Sequence, residues 1–136
     1  MGAQPVDVPA LDARARDVCA GLVDSLPATV DGAERRETDP SDAPAAAWGD
    51  PAIVLTCGVP APAGFDDFST CQEIDGVGWY IPDEQVTGRP EPVTMTTIDR
   101  EVNVQVTLPE THWPPAAAMV DLAPAVGDLR QTDPCV

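Results

Sequence analysis

The segment EVNVQVTL, residues 101 to 108, alternates polar and aliphatic residues without a break. In an extended chain, successive side chains point to opposite faces, so the aliphatic residues share one face. Those residues are Val102, Val104, Val106 and Leu108. A strand that is apolar on one face and polar on the other is typical of an antiparallel sheet. The segment therefore predicts a half-buried strand in such a sheet.

Other segments also have the composition of strands. AIVLTC, residues 52–57, is a short apolar run with β-branched residues, which suits the centre of a sheet. Two extended runs flank Asp75-Gly76, and an Asp-Gly pair in that position is typical of a β-hairpin. Residues 28–32 indicate a short extended piece and a turn, whereas the charged residues 33–44 indicate a surface loop.

Two segments have helical periodicity. Apolar residues recur at spacings of three and four over residues 9–26, and Pro27 ends the pattern. A second helix is predicted over residues 114–126, interrupted near Pro124. We therefore expect an α+β fold, a two-layer sandwich in which an antiparallel sheet of about four to five strands carries both helices on one face.

The chain length of 136 residues predicts one domain. We expect residues 1–8 to be a flexible lead-in and residues 9–136 to be the domain. The chain has no apolar run near the roughly 18 residues that a membrane helix needs. Its first residues resemble a start that follows a removed leader, so we expect membrane association only through such a leader or anchor.

The formal net charge is −16, and all seven basic residues are arginine. Such a charge disfavours binding to nucleic acid and to anionic lipid, and it favours a monomer in isolation. Arg35 and Arg36 are the only adjacent basic pair. They fit either an anion contact or a solvated loop edge, and scattered charge of this kind favours the loop edge.

The chain contains four cysteines, Cys19, Cys57, Cys71 and Cys135. An even number at wide spacing is typical of two disulfides in an oxidising compartment, although three pairings remain possible. Zinc binding is disfavoured because no CxxC pair occurs and the chain has a single histidine, His112. We therefore expect an extracytoplasmic protein without a metal or other cofactor.

Candidate catalytic and calcium-binding residues are sparse. His112 fits either a general base oriented by Glu110 or an aspartate, or a surface histidine beside Trp113, and the second interpretation is favoured. No G-x-S-x-G motif is present. Asp66, Asp67 and Glu73 are possible calcium ligands, but the D-x-D-x-D-G pattern is absent.

The three tryptophans are candidate contacts for a partner. Trp48, Trp79 and Trp113 each adjoin proline, glycine or tyrosine. Such residues either line a binding groove or close the ends of a core, and the core is the more common place for them. Together with His112 they are the predicted partner contacts.

The segment AAAWGDPAIVLTCGVP, residues 45–60, resembles the domain of unknown function 3515 family of actinobacterial envelope proteins. CAGLVDSLPATVDGAERR, the VGW after a turn and the valine-alternating strand add to the resemblance, which covers roughly residues 5–130. It implies a secreted or membrane-tethered protein. It also implies a disulfide between Cys19 and Cys57, which leaves Cys71 with Cys135. It supplies no catalytic residues.

These observations favour a non-catalytic accessory or binding module on the outer side of the cytoplasmic membrane. Its expected partner is an envelope protein or a membrane complex. Two alternatives remain, a small envelope hydrolase that uses His112 with acidic residues, and a carrier of a small ligand or metal.

Overall fold

The computed structural model describes residues 2–66 and 68–133 of the chain. These residues form two α-helices, α1 (Ala13–Ser25) and α2 (Ala116–Gly127), and two short 3₁₀ turns. They also form ten strands. The strands are β1 (Gln4–Pro5), β2 (Thr29–Val30), β3 (Ala33–Arg36), β4 (Thr38–Asp39), β5 (Ala45–Trp48), β6 (Ile53–Cys57), β7 (Gln72–Ile74), β8 (Val77–Tyr80), β9 (Val93–Thr97) and β10 (Val104–Leu108).

Eight of these strands form one sheet in the order β2-β3-β5-β6-β10-β9-β8-β7. Every pairing in it is antiparallel, whereas β1 and β4 form a separate parallel pair. The α+β class, the antiparallel sheet and the two terminal helices are as predicted. The described sheet has more than the four to five strands expected, and the two-layer sandwich remains a prediction.

The additional strands lie where the sequence indicated a loop. β3 and β4 fall within residues 33–44 and consist of AERR and TD, which carry no apolar pattern. Their main-chain groups pair with β2, β5 and β1, so long-range hydrogen bonds rather than side-chain pattern make them strands. Residues 45–48 form β5, and all four are buried.

Helix α1 begins at Ala13, four residues after the predicted start at residue 9, because Asp12 is its N-cap. The Asp12 carboxylate accepts a hydrogen bond from the Ala15 amide at 2.8 Å, which satisfies a donor of the first turn. The helix ends at Ser25, and its C-cap Leu26 directly precedes Pro27, within one residue of the predicted end. Cys19 and Leu22 are its buried residues.

Helix α2 contacts the two opposite edges of the sheet. It packs against β2 at one edge and against β7 and β8 at the other, and it also contacts α1. Eight flat strands would span about 34 Å at the usual strand spacing. The 12 residues of α2 give a length of only about 18 Å. The sheet must therefore curve around α2. Pro124 lies inside the helix, which continues to Gly127.

The core contains residues of both helices and residues of the sheet. Val104, Val106 and Leu108 of β10 are buried, whereas Thr107 between them is exposed, as the alternation predicted. The hairpin at Asp75-Gly76 is also confirmed. Both residues have positive φ, 52° and 84°, which suits a two-residue turn between twisted strands.

The first residues are paired rather than free. The Gln4 amide donates to the Glu37 carbonyl at 2.8 Å, and the Val6 amide donates to the Asp39 carbonyl at 3.0 Å. The Arg36 guanidinium donates to the Gly2 carbonyl at 2.6 Å. Most of the segment expected to be a flexible lead-in is therefore held against β4. In the described part of the chain, no helix has the length and apolar character that crossing a membrane requires.

Candidate functional site

A disulfide joins Cys19 of α1 to Cys57 of β6, and both residues are 0% exposed. Their sequence separation is 38 residues, so the bond links the first helix directly to a central strand. This is the pairing that the family resemblance implied. Cys71 is not a free thiol. Cys135 lies outside the described residues, so the pairing of Cys71 with Cys135 remains a prediction.

Trp48 and Trp79 lie inside the core and are each 0% exposed. The Trp48 indole N–H donates to the Pro27 carbonyl at 3.0 Å, which ties β5 to the end of α1. Buried side chains present no surface to a partner, so in this structure these two residues are not partner contacts. Trp113 packs against the core and is partly exposed, and it is the one tryptophan that still fits the predicted role.

His112 is paired with an aspartate from a distant part of the chain. Its Nδ1 lies 3.0 Å from Asp31 Oδ2, and the Asp31 amide donates to Asp121 Oδ2 at 2.8 Å. The sequence offered Glu110 or an aspartate as the orienting carboxylate. The structure places an aspartate there, Asp31, in the turn between β2 and β3. The arrangement matches a base and its orienting group. It also connects the β2–β3 turn to the segment before α2, through His112, and to the middle of α2, through Asp121.

The adjacent pair Arg35 and Arg36 binds main-chain carbonyls. Arg35 donates to the carbonyls of Val23 and Leu26 at the end of α1, where helix carbonyls lack partners. Arg36 donates to the carbonyl of Gly49 at 2.9 Å. Both arginines therefore lie in β3 and hold segments of the fold together, rather than forming the solvated loop edge favoured from sequence.

Metal ligands do not gather in the structure. Among the described residues, no group of three or more histidine, cysteine, aspartate and glutamate side chains is placed to hold a metal ion. Asp67, one of the three candidate calcium ligands, lies outside the described residues. The other two are Asp66 and Glu73, and they carry no further indication of a site.

The sequence interpretation missed an exposed aromatic residue. Phe68 is 94% exposed, the highest value among the large hydrophobic side chains of the described chain. It belongs to the segment of residues 59–70 between β6 and β7, which we call the phenylalanine loop. Both phenylalanines of the chain, Phe65 and Phe68, occur in this loop. Their placement three positions apart in FDDF, a stretch with no apolar neighbours to suggest a core, was the available signal.

Local hydrogen bonds hold Phe68 in place. Its amide donates to Asp66 Oδ1 at 2.9 Å, and the Asp66 amide donates to Ser69 Oγ at 2.9 Å. Phe65 packs edge-on against Tyr80, with ring centroids 5.5 Å apart. The loop is thus fixed at two points, which reduces the conformational entropy that a partner would have to remove from Phe68.

A cavity of about 500 Å³ lies between the phenylalanine loop and the convex face of the sheet. We call it the loop cavity. The residues that line it are Pro62, Ala63, Gly64, Tyr80, Pro82, Asp83, Glu84, Gln85, Thr94, Thr96 and Gln105. The lining is polar and acidic, and it combines one aromatic ring with hydroxyl, carboxamide and carboxylate groups. Such a surface can accept hydrogen bonds and can hold positive charge.

The fold and these sites define a small acidic α+β protein with a buried disulfide and an exposed phenylalanine between β6 and β7. The chain belongs to the family described as Protein of unknown function (DUF3515), whose model matches residues 2–135. No curated protein and no solved structure matches it.

Proposed function

We propose that this protein is a non-catalytic accessory or binding module of the cell envelope, located outside the cytoplasmic membrane, and that it is secreted or tethered there in actinobacteria. The observation that carries the binding role is the 94% exposure of Phe68 on an ordered loop. Large aromatic side chains that stand in water are typical anchors of protein interfaces.

The location rests on the Cys19–Cys57 disulfide. Disulfides persist in oxidising compartments and are rare where thiols are kept reduced. This bond has both ends at 0% exposure and links a helix to a central strand, so it belongs to the structural class rather than to the exposed, exchanging class. An extracytoplasmic location accounts for it directly.

The partner is an envelope protein or a membrane complex that offers an apolar pocket for Phe68. Asp66 lies beside Phe68, and the chain as a whole has a net charge of −16. Electrostatic complementarity therefore favours a partner surface with basic residues around that pocket.

Site-specific crosslinking tests this proposal. A photo-crosslinking amino acid is placed at position 68 in living cells, and a second version carries it at position 120, where Val120 is 48% exposed on α2. We expect one envelope protein to crosslink from position 68 and not from position 120. Phe68→Ala should abolish its co-purification, whereas Val120→Ala should not. Equal crosslinking from both positions, or none from position 68, contradicts the proposal.

A hydrolase is the second candidate, since Asp31 Oδ2 lies 3.0 Å from His112 Nδ1. A histidine that is oriented in this way through one nitrogen has the other nitrogen available for proton transfer. The test is the hydrolysis of envelope glycans and peptides by the native chain and by His112→Gln. Any turnover by the native chain that His112→Gln reduces by about 100-fold or more would establish this alternative over the binding role.

A further inference from the structure

We infer that the loop cavity binds the side chain of a lysine or arginine from the partner protein. This inference rests on the proposed binding role and extends it, because it adds a second, polar contact beneath the loop that carries Phe68. The argument uses the cavity floor, its charge and its aromatic wall.

The floor of the cavity consists of the convex face of the sheet. Thr94 and Thr96 of β9 and Gln105 of β10 all line it, and Gln105 lies opposite Thr96 in the strand register. The neighbouring positions of both strands, Met95 and Val106, are buried in the core on the other face. The floor is therefore a polar patch on the face of these two strands that points away from the core.

Thr96 is the most informative residue of the floor. It is only 2% exposed, yet its side chain lines the cavity. Within residues 2–66 and 68–133, no side-chain hydrogen bond to another residue engages its hydroxyl. The hydroxyl is not one of the buried, unpartnered atoms of the described residues, so it is open to the cavity and can form a hydrogen bond with a group that enters there.

The charge of the cavity is negative. Asp83 and Glu84 line it, and none of the described residues that line it is basic. The pKa of Tyr80 is raised by burial first and then by the carboxylates of Glu84, Asp83 and Asp66. These carboxylates therefore act on the tyrosine hydroxyl at the cavity wall, and a cation in the cavity would reduce their mutual repulsion.

The shape and chemistry fit a long cationic side chain. Tyr80, Pro62 and Pro82 offer apolar surface to the methylene stem, as lysine and arginine stems commonly require. The Tyr80 ring also attracts a cation placed over its face. Hydroxyl and carboxamide oxygens on the floor and carboxylates on the wall accept the N–H groups. A ligand without a positive charge would leave the carboxylates unbalanced.

The roof of the cavity connects it to Phe68. A Cβ atom built at Gly64 would lie 2.7 Å from Tyr80 Oη, so the loop main chain rests on the tyrosine hydroxyl. Phe65 packs on the ring of the same tyrosine. The same loop of this chain therefore carries Phe68 and covers the cavity. A partner that binds Phe68 can place a basic side chain in the cavity at the same time.

Titrations on the purified chain test this inference separately from the proposed function. The probes are N-acetyl-lysine N-methylamide and N-acetyl-arginine N-methylamide, and the neutral control is the norleucine analogue. We expect the cationic probes to shift the amide NMR signals of Thr94, Thr96 and Gln105 in a saturable way, with dissociation constants on the order of 1–10 mM. The norleucine analogue should leave these signals unchanged.

Two charge variants decide whether the cavity is the site. Glu84→Gln should weaken the binding of both cationic probes by about threefold. Glu110→Gln removes the same charge from an exposed residue that does not line the cavity. It should leave the dissociation constants of both probes unchanged within experimental error. Equal weakening by both variants, or an absence of saturable shifts at the three floor residues, overturns the inference. That result would leave the crosslinking test at position 68 unaffected.

Discussion

The His112 imidazole and the Asp31 carboxylate are separated by 81 residues of sequence and meet at 3.0 Å. Asp31 stands in the turn that joins β2 to β3, and its φ of 47° is in the left-handed region. Its amide also donates to Asp121 of α2. The three residues thus hold the β2 edge of the sheet against α2. Among the described residues, no disulfide connects these two elements.

Breaking this contact should lower the stability of the fold. We expect His112→Ala to reduce the free energy of unfolding by about 1–2 kcal/mol, because a half-buried hydrogen bond to a carboxylate is lost. A double-mutant cycle with Asp31→Gly, which tolerates the positive φ, should give a coupling energy of about 1 kcal/mol. Urea denaturation followed by circular dichroism measures both values.

Glu110→Ala is the control for that cycle, since Glu110 is exposed and lies two residues from His112. It should change the free energy of unfolding by less than about 0.5 kcal/mol. A coupling energy of zero between positions 31 and 112 would mean that their contact does not stabilise the β2 edge.

The two buried tryptophans should respond differently to the same substitution. The Trp48 indole N–H donates to the Pro27 carbonyl, whereas no described residue accepts a hydrogen bond from the buried Trp79 Nε1. Trp48→Phe and Trp79→Phe remove the same volume, but only the first leaves a carbonyl without its donor. We expect Trp48→Phe to cost about 1–2 kcal/mol more than Trp79→Phe in urea denaturation. Equal costs would contradict this assignment.

Removing the buried disulfide should destabilise the protein strongly. For a loop of 38 residues, the chain-entropy argument gives about 3–4 kcal/mol. The Cys19→Ala/Cys57→Ala double variant should therefore lose about this much free energy of unfolding. Chemical denaturation measures the loss, and non-reducing peptide mass spectrometry of the native chain checks the linkage and the predicted Cys71–Cys135 bond. A loss below about 1 kcal/mol would contradict the expectation.

Asp99 is a carboxylate inside the protein, 0% exposed, between β9 and β10. Its Oδ2 accepts a hydrogen bond from the Gly78 amide at 3.1 Å, and its Oδ1 lies 3.9 Å from Arg100 Nε. Burial raises the pKa of Asp99, and the Arg100 charge and the Gly78 hydrogen bond offset part of this effect. Glu73 adds a further, small increase to the pKa.

A raised pKa in the folded state determines the direction of the pH dependence. The contribution of Asp99 to stability is fully present below its unfolded pKa, and it is lost as the pH rises through its folded pKa. Asp99→Asn does not titrate, so its stability relative to the native chain should rise between about pH 4 and neutral pH. Each pH unit between the folded and unfolded pKa corresponds to about 1.4 kcal/mol. Urea denaturation at several pH values measures this difference, and a constant or falling difference would contradict the prediction.

Local patterns in the sequence predicted the elements that depend on interactions between residues close in sequence. The alternation over residues 101–108 predicted the strand that the structure has at Val104–Leu108, and the Asp75-Gly76 turn predicted the hairpin. β3 was not predicted, because its AERR sequence has no apolar face. Its residues are in a strand because their main-chain groups pair with β2 and β5, and that pairing depends on the tertiary structure.

The candidate sites also differ in how far the sequence alone indicates them. The exposed Phe68 was missed, although the sequence carried a signal for it, because two phenylalanines among aspartates and a serine have no adjacent apolar pattern. The pairing of His112 with Asp31 was not visible, since any of the 23 acidic residues satisfied the pattern equally. The loop cavity is built from three strands and two loops, so its lining is adjacent only after the sheet has formed.

The contact of α2 with both edges of the sheet has a consequence for the order in which the protein is made. The helix follows β2 and β7 in the chain, so both strands are synthesised before the element that covers them. During that interval two strand edges can pair with the same edges of another copy. The net charge of −16 makes copies of the chain repel one another. The acidic residues therefore oppose association of incompletely folded copies.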